Sequence, residues 1–194
     1  MGPAGHVHAV EASPWIHARL RRNLAVNRVR NVTTYNLAAT AEPGPVTVYL
    51  HDGSNLGGTT IVASEAARLA TEQEAVVEGL PLPAIVPEAA LLAARLIKID
   101  VEGAEWLVAQ GLRDLLPRLR PEVEILIEVN PEALAVFGVT LADFLTLFAT
   151  AGFACFEIDN RYDGRFYIEA PSAETRPLRQ RNPDMIGLVF RKAG

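Results

Sequence analysis

Along this chain of 194 residues, apolar runs of strand length alternate with segments of helical period, and no other feature limits its fold as much. Such alternation favours an α/β domain in which largely parallel strands are joined by helices. "HVHAVEA" reads as the first strand. "SPWIHARLRRNLAVNRV" reads as a helix, with Ser13 as N-cap, Pro14 in the first turn, and Ile16, Leu20, Leu24 and Val26 near helical spacing. "NVTTYNLAA" reads as a strand, Gly44-Pro45 as a break, and "VTVYL" as a strand entering the loop "HDGSNLGGTT". The Ala and Glu content of residues 64–78 predicts a helix, and "PLPAIVPEAALLA" a connection ending in a short one. "ARLIKID" then reads as a strand, "EGAEWLVAQGLRDLL" as a helix and the β-branched "VEILIEVN" as a strand. "LADFLTLFATAG" is a helix closed by Gly152, "FACFEID" a strand, "GRFYIEA" its hairpin partner and "DMIGLVFRK" the last strand. No repeat or low-complexity linker divides the chain. Residues 1–194 are therefore expected to form one domain with a core of its own.

Composition narrows the function. With 49% hydrophobic and 21% charged residues the chain is globular, and its net charge of −5 gives no footprint for a nucleic acid or an anionic membrane surface. The basic stretch "RPLRQRNP" reads as a solvated loop, so neither kind of partner is expected. No apolar run approaches the roughly 20 residues of a membrane span, and the N-terminus lacks the regions of a signal peptide. Cys155 is the sole cysteine, which excludes an internal disulfide and fits a reducing compartment. Cytoplasm is the expected location, where the glycosylation-like Asn31-Val32-Thr33 means little.

The stretch "LIKIDVEGAEWLV" runs an apolar strand into three acids, Asp100, Glu102 and Glu105. Ligands of open α/β sheets sit outside the carboxyl ends of the strands, and Asp100 closes such a strand. The structural alternative makes Asp100 a helix cap, with Glu102 and Glu105 sharing one face of the first turn, where the helix dipole favours acids by about 0.3–1 kcal/mol each. Gly103 argues against that alternative, since glycine inside a helical turn costs about 1 kcal/mol relative to alanine and implies a close approach to the backbone. Glu11 is placed in the same way, at the end of "HVHAVE" and just before Ser13. From there a carboxylate can accept hydrogen bonds from both hydroxyls of a ribose, unless it is simply a solvated strand end. Two acids at two strand ends suit a nucleoside-containing cofactor, either NAD(P) or S-adenosylmethionine. Glu128, beside Asn130 at the end of "EILIEVN", adds a polar pair or else caps the helix opened by Pro131.

Other polar residues carry less. His6 and His8 share a strand face but have no third ligand, so they read as surface residues and no metal site is assigned. His51, beside Asp52, is a candidate for acid–base work because imidazole titrates near neutral pH. Trp15 and Trp106 read as core or rim packing.

The blocks "GHVHAVEASPWIHARLRRNLAVNRVRNVTTYNLAAT", "GSNLGGTTIV", "LIKIDVEGAEWLVAQGL" and "PEVEILIEVNPEAL" together resemble the FkbM-type S-adenosylmethionine-dependent methyltransferases. The resemblance runs from about Gly5 to Asp159, and "IKIDVEGAE" is its most specific block. It implies a Rossmann-like methyltransferase sheet, mostly parallel with an antiparallel last strand, and methyl transfer to a hydroxyl of a sugar or polyketide-type small molecule. By the same resemblance Glu11 binds the ribose, Asn36 and Leu37 lie near the adenine, and Asp100 faces the methionine end and the acceptor. Asn55, Gly57 and Gly58 lie over the acceptor side, where Glu128 is a further substrate-binding candidate. Asp100 is then a general base or a ligand to a divalent cation that acidifies the hydroxyl, and His51 is a second catalytic candidate.

One departure from the family pattern carries an expectation. Such methyltransferases open with a strand and a loop of the form V-D-x-G-A-N around the methionine part of the cofactor, and residues 1–194 contain no such run. Met1-Gly2-Pro3 falls where the family has already completed that loop. The sheet is therefore expected to be N-terminally truncated, with two strands exposing an edge, and residues 1–194 are expected to bind the cofactor poorly. The alternatives are an inactive fragment or non-catalytic binding protein, and a nicotinamide-dependent oxidoreductase, which would want a G-x-G-x-x-G run that is not present. The acceptor and the oligomeric state are left open.

Overall fold

The structure, a computed structural model, describes residues 2, 4–50, 58–158, 175–178 and 186–193. The chain divides into two compact units, Met1–Leu91 with Leu107–Leu112, and Leu92–Trp106 with Arg113–Gly194.

The first unit opens with β1 (Val7–Val10), α1 (Pro14–Val26) and β2 (Val32–Tyr35). β1 and β2 pair in parallel, with Val7 opposite Val32 and Val10 opposite Tyr35. Ser13 caps α1 as its sequence predicts: its Oγ accepts the Ile16 N–H at 3.1 Å, and proline follows where no N–H is needed. No residue of α1 is buried.

"NVTTYNLAA" is not one strand. It breaks at Asn36, and β3 (Ala38–Ala39) joins a separate sheet in the order β3-β5-β4, with β4 (Gly44–Leu50) and β5 (Glu72–Leu80). Gly44-Pro45 is not a break either, because both residues head β4 opposite Gly79 and Glu78. β4 lies at the edge of its sheet, where a proline lacking N–H is tolerated. The helix expected over residues 64–78 is a short one, α2 (Ala63–Arg68), followed by the whole of β5. Antiparallel pairing with β4 overrides the local Ala and Glu preference, a contest that a linear reading does not see. Two short helices, α3 (Leu82–Ile85) and α4 (Glu88–Leu92), follow. Ala38, Val48, Val62, Ala66 and Ile85 are buried in this unit.

The second unit holds a sheet in the order β6-β7-β10-β8-β9, from β6 (Leu96–Ile99), β7 (Glu124–Val129), β8 (Phe153–Ile158), β9 (Thr175–Pro177) and β10 (Ile186–Lys192). β6 and β7 run parallel, and β10 is antiparallel to both β7 and β8, as expected of the last strand. Ile97, Ile99, Ile125, Ile127 and Val129 alternate inward. α6 (Pro131–Val136) and α7 (Leu141–Thr150) follow β7. α7 opens with a capping box between Thr140 and Asp143 and closes before Gly152, whose φ of 84° takes the left-handed conformation that ends a helix. Phe144, Phe148 and Phe190 are fully buried, with the Phe148 and Phe190 rings stacked at 4.0 Å between centroids.

α5 (Glu105–Leu112) is shorter than predicted at both ends. It starts late because Glu102 (φ 48°) and Gly103 (φ 98°) form a left-handed turn, so neither stands in a helical turn as the spacing suggested. Leu116–Arg118 form a separate 3-10 turn. "GRFYIEA" lies outside the described residues. Among the described residues β1 pairs only with β2 and β6 only with β7, and no helix is long and apolar enough to cross a membrane.

Candidate functional site

Glu11 is the first residue beyond β1. Its N–H donates to the Tyr35 carbonyl at 3.0 Å, and its Oε1 accepts the Ser13 N–H at 2.8 Å. Its other carboxylate oxygen makes no hydrogen bond among the described residues. The Asn36 amide donates to the carbonyls of both Glu11 and Ala12 at 3.0 Å each. The structure thus gathers Glu11, Asn36 and, beside it, Leu37 at one turn. Burial raises the pKa of Glu11, the Ser13 N–H lowers it, and the neighbouring Glu74 raises it again.

Glu74 is the residue the sequence reading missed. It projects from β5, inside the stretch expected to be helical, and its Oε1 accepts the Trp15 N–H at 2.8 Å while its Oε2 is buried without a hydrogen-bond partner among the described residues. The β-branched pair Val76-Val77 leading into Gly79 was the available signal for a strand.

Asp100 is the first residue beyond β6, five residues before α5 begins, so it is not the N-cap of that helix. The register that sets Ile99 opposite Ile127 brings Asp100 level with Glu128 on β7, so adjacent parallel strands end in acids. Lys98 Nζ lies 2.9 Å from Asp100 Oδ2 in a half-exposed pair, worth about 0–1 kcal/mol to stability. Glu128 does not cap α6. Asn130 does, with its Oδ1 accepting the Glu132 N–H at 2.9 Å.

Glu105 is only 2% exposed. Its Oε1 accepts the Gly103 N–H at 3.0 Å, and its Oε2 is buried without a hydrogen-bond partner among the described residues. Burial, reinforced by Glu102 and Asp100 and opposed by the N–H groups of Gly103 and Glu105 itself, pushes its carboxyl up to about 7.

Of the remaining candidates, His51, Asn55 and Gly57 lie outside the described residues, while Gly58 is described and buried. His6 Nε2 is hydrogen-bonded to Thr33 Oγ1 and His8 Nδ1 to the Tyr35 hydroxyl, each at 2.9 Å. No group of three or more His, Cys, Asp or Glu able to hold a metal ion occurs among the described residues. Trp106 packs near Phe144, whereas Trp15 is 37% exposed under the Arg19 guanidinium, 3.2 Å from its ring centroid, and is not core. Burial, with help from Glu157, pushes the Cys155 thiol up to about 12, which leaves it unreactive at neutral pH. A surface hollow of about 480 Å³ is lined by Trp106, Arg113, Asp143, Thr146, Leu147 and Thr150, none of them a site candidate.

The family described as the methyltransferase FkbM domain matches residues 1–155. The chain belongs to the FkbM methyltransferase family. Among solved structures, a methyltransferase FkbM from Methylobacillus flagellatus KT superposes with a TM-score of 0.50 at 15% identity, over 96% of this chain and 36% of that one. That likeness is one of fold, and the chain spans about a third of that FkbM protein's length. No curated protein matches the sequence. The mixed α/β sheets are those of a methyltransferase-like fold, as the block "IKIDVEGAE" and its neighbours implied.

Proposed function

We propose that the chain is an S-adenosylmethionine-dependent O-methyltransferase domain acting on a hydroxyl of a sugar or polyketide-type small molecule. The observation that carries this reading is the placement of two acids. Glu11 and Asp100 each stand at the first position beyond the carboxyl end of a parallel strand, in a chain that matches the family over residues 1–155. The residues around Glu11 fit a nucleoside. Its second carboxylate oxygen is open to ribose hydroxyls, partial burial strengthens a hydrogen bond made there, and the two bonds from Asn36 hold the peptide that carries it. Leu37 follows in the same turn and offers apolar surface to an adenine.

When bound, S-adenosylmethionine supplies an electrophilic methyl group on a sulfonium sulfur. The chain's own residues then have two tasks, to orient the acceptor hydroxyl and to take its proton. Alignment of reacting groups lowers such a barrier by about 7–11 kcal/mol. In this reading Asp100 takes the proton: Lys98 holds Oδ2, which leaves Oδ1 to act as general base. Glu128 stands level with Asp100 and is the acceptor-binding candidate beside it in this reading; the assignment of His51, Asn55, Gly57 and Gly58 to the acceptor rests on the family resemblance alone. The setting is cytoplasmic, without nucleic acid or membrane.

Asp100→Asn tests it. In a form of the protein that transfers methyl groups, the change should leave the Tm within a few degrees and reduce turnover at least 100-fold, the usual size of a general-base loss. Unchanged turnover removes Asp100 from the mechanism.

A further inference from the structure

A carboxylate sealed inside a protein is an unfavourable way to fill space, because an apolar side chain of similar volume does so without desolvating a charge. Glu105 is sealed in this way, and one of its two oxygens has no hydrogen-bond partner among the described residues. What the carboxylate does contribute is the acceptor for the Gly103 N–H, a buried donor inside a turn where no helix or strand partner is at hand. That turn is conformationally unfavourable on its own. Glu102 and Gly103 are left-handed in succession, and Glu102, having a Cβ, resists that conformation. The turn begins two residues after Asp100, in the irregular connection between β6 and α5.

We propose that Glu105 is a positioning residue for Asp100: by taking the Gly103 N–H from inside the protein, it holds the left-handed Glu102–Gly103 turn and so fixes where the Asp100 carboxylate stands. The inference rests on the reading of Asp100 as the group that meets the acceptor. A midpoint of about 7 agrees with it, since a proton on the orphaned oxygen relieves the buried charge while the other oxygen keeps its bond to Gly103.

Three variants of the full chain separate this role from simple filling of space. Glu105→Gln keeps an oxygen acceptor at the same reach, Glu105→Leu keeps the volume without the acceptor, and Glu105→Asp keeps the carboxyl group and shortens the reach. The readouts are amide hydrogen exchange at Gly103 and the carboxyl-carbon NMR titration of Asp100, with amides of β7 and β10 reporting whether the fold is intact. The Gln variant should exchange at Gly103 within about threefold of the parent. The Leu and Asp variants should exchange about 10- to 100-fold faster there, as expected when a buried donor is left without its acceptor, and should shift the Asp100 titration. If the Leu variant loses protection in β7, the Asp variant decides. Retained Gly103 protection in the disrupted variants, or lost protection with an unmoved Asp100 titration, overturns the proposal. In a form that transfers methyl groups, kcat should fall in the Leu variant and recover in the Gln variant, with KM for the cofactor unchanged. Methyl transfer absent from every form, the parent included, would instead overturn the function proposed for Asp100 and leave the role in the turn standing.

Discussion

The sheet carrying Asp100 and the β1–α1–β2 layer carrying Glu11 bury their residues very differently. In the first, Phe144, Phe148 and Phe190 are fully buried, and so are Ile125, Ile127 and Val129 in sequence alternation. In the second, every residue of β1 and β2 is half-buried, α1 contributes nothing to a core, and Val26 is 73% exposed. Parallel strands are ordinarily covered on both faces, and among the described residues β1 pairs with β2 alone. The Asp100 region is therefore held by packing. The Glu11 region is held by a handful of directed hydrogen bonds: Ser13 to Glu11, Asn36 to two carbonyls, and Trp15 to Glu74.

If that contrast is right, equal truncations in the two regions should have unequal effects. Phe148→Ala should cost about 3–5 kcal/mol by urea denaturation, the range for removing a buried aromatic ring, while Leu20→Ala on half-buried α1 should cost about 1 kcal/mol or less. Similar losses at both positions would erase the contrast.

A second effect, roughly 3 kcal/mol in size, belongs to Glu105 alone. Its carboxyl titrates near 4.5 when unfolded and is raised to about 7 in the native state. The native state therefore holds the proton more tightly. The stabilisation is complete below about pH 4.5 and is lost as the pH rises through 7. Urea melts at pH 5 and pH 8 should show the parent losing more stability across this window than Glu105→Gln, which cannot titrate. Parallel losses would mean that Glu105 is not held neutral by its burial.

The smallest effect falls on the loose side. Ser13 is fully buried, and its Oγ caps α1, so Ser13→Ala should cost about 1 kcal/mol and appear first as faster amide exchange at Ile16. No change at Ile16 would mean that the cap does not hold the turn beneath Glu11.

Legibility followed the range of the forces involved. α1 with its Ser13 cap, α7 with its closing Gly152 and the alternating β7 are all written in local chemistry, and each stands where the sequence places it. β5 was not legible, because its strand is imposed by pairing with β4 some thirty residues away and not by its own Ala- and Glu-rich composition. Glu74 was hidden with it. Gly103 was read as a close approach inside a helix, but a left-handed φ explains the glycine better and also frees Asp100 from any capping role. Glu11 and Asn36 were paired by the family resemblance, and their contact in the structure is a brace between two turns.

The account's central claim is that Glu11 recognises the cofactor. Calorimetric titration of S-adenosylmethionine tests it most directly, comparing the protein with its Glu11→Ala variant in a form that transfers methyl groups. The account predicts clear binding by the parent that Glu11→Ala weakens roughly tenfold or more, the consequence of losing about 1.5–3 kcal/mol of hydrogen bonding to a charged group. Binding unaltered by Glu11→Ala would contradict it and place the cofactor elsewhere.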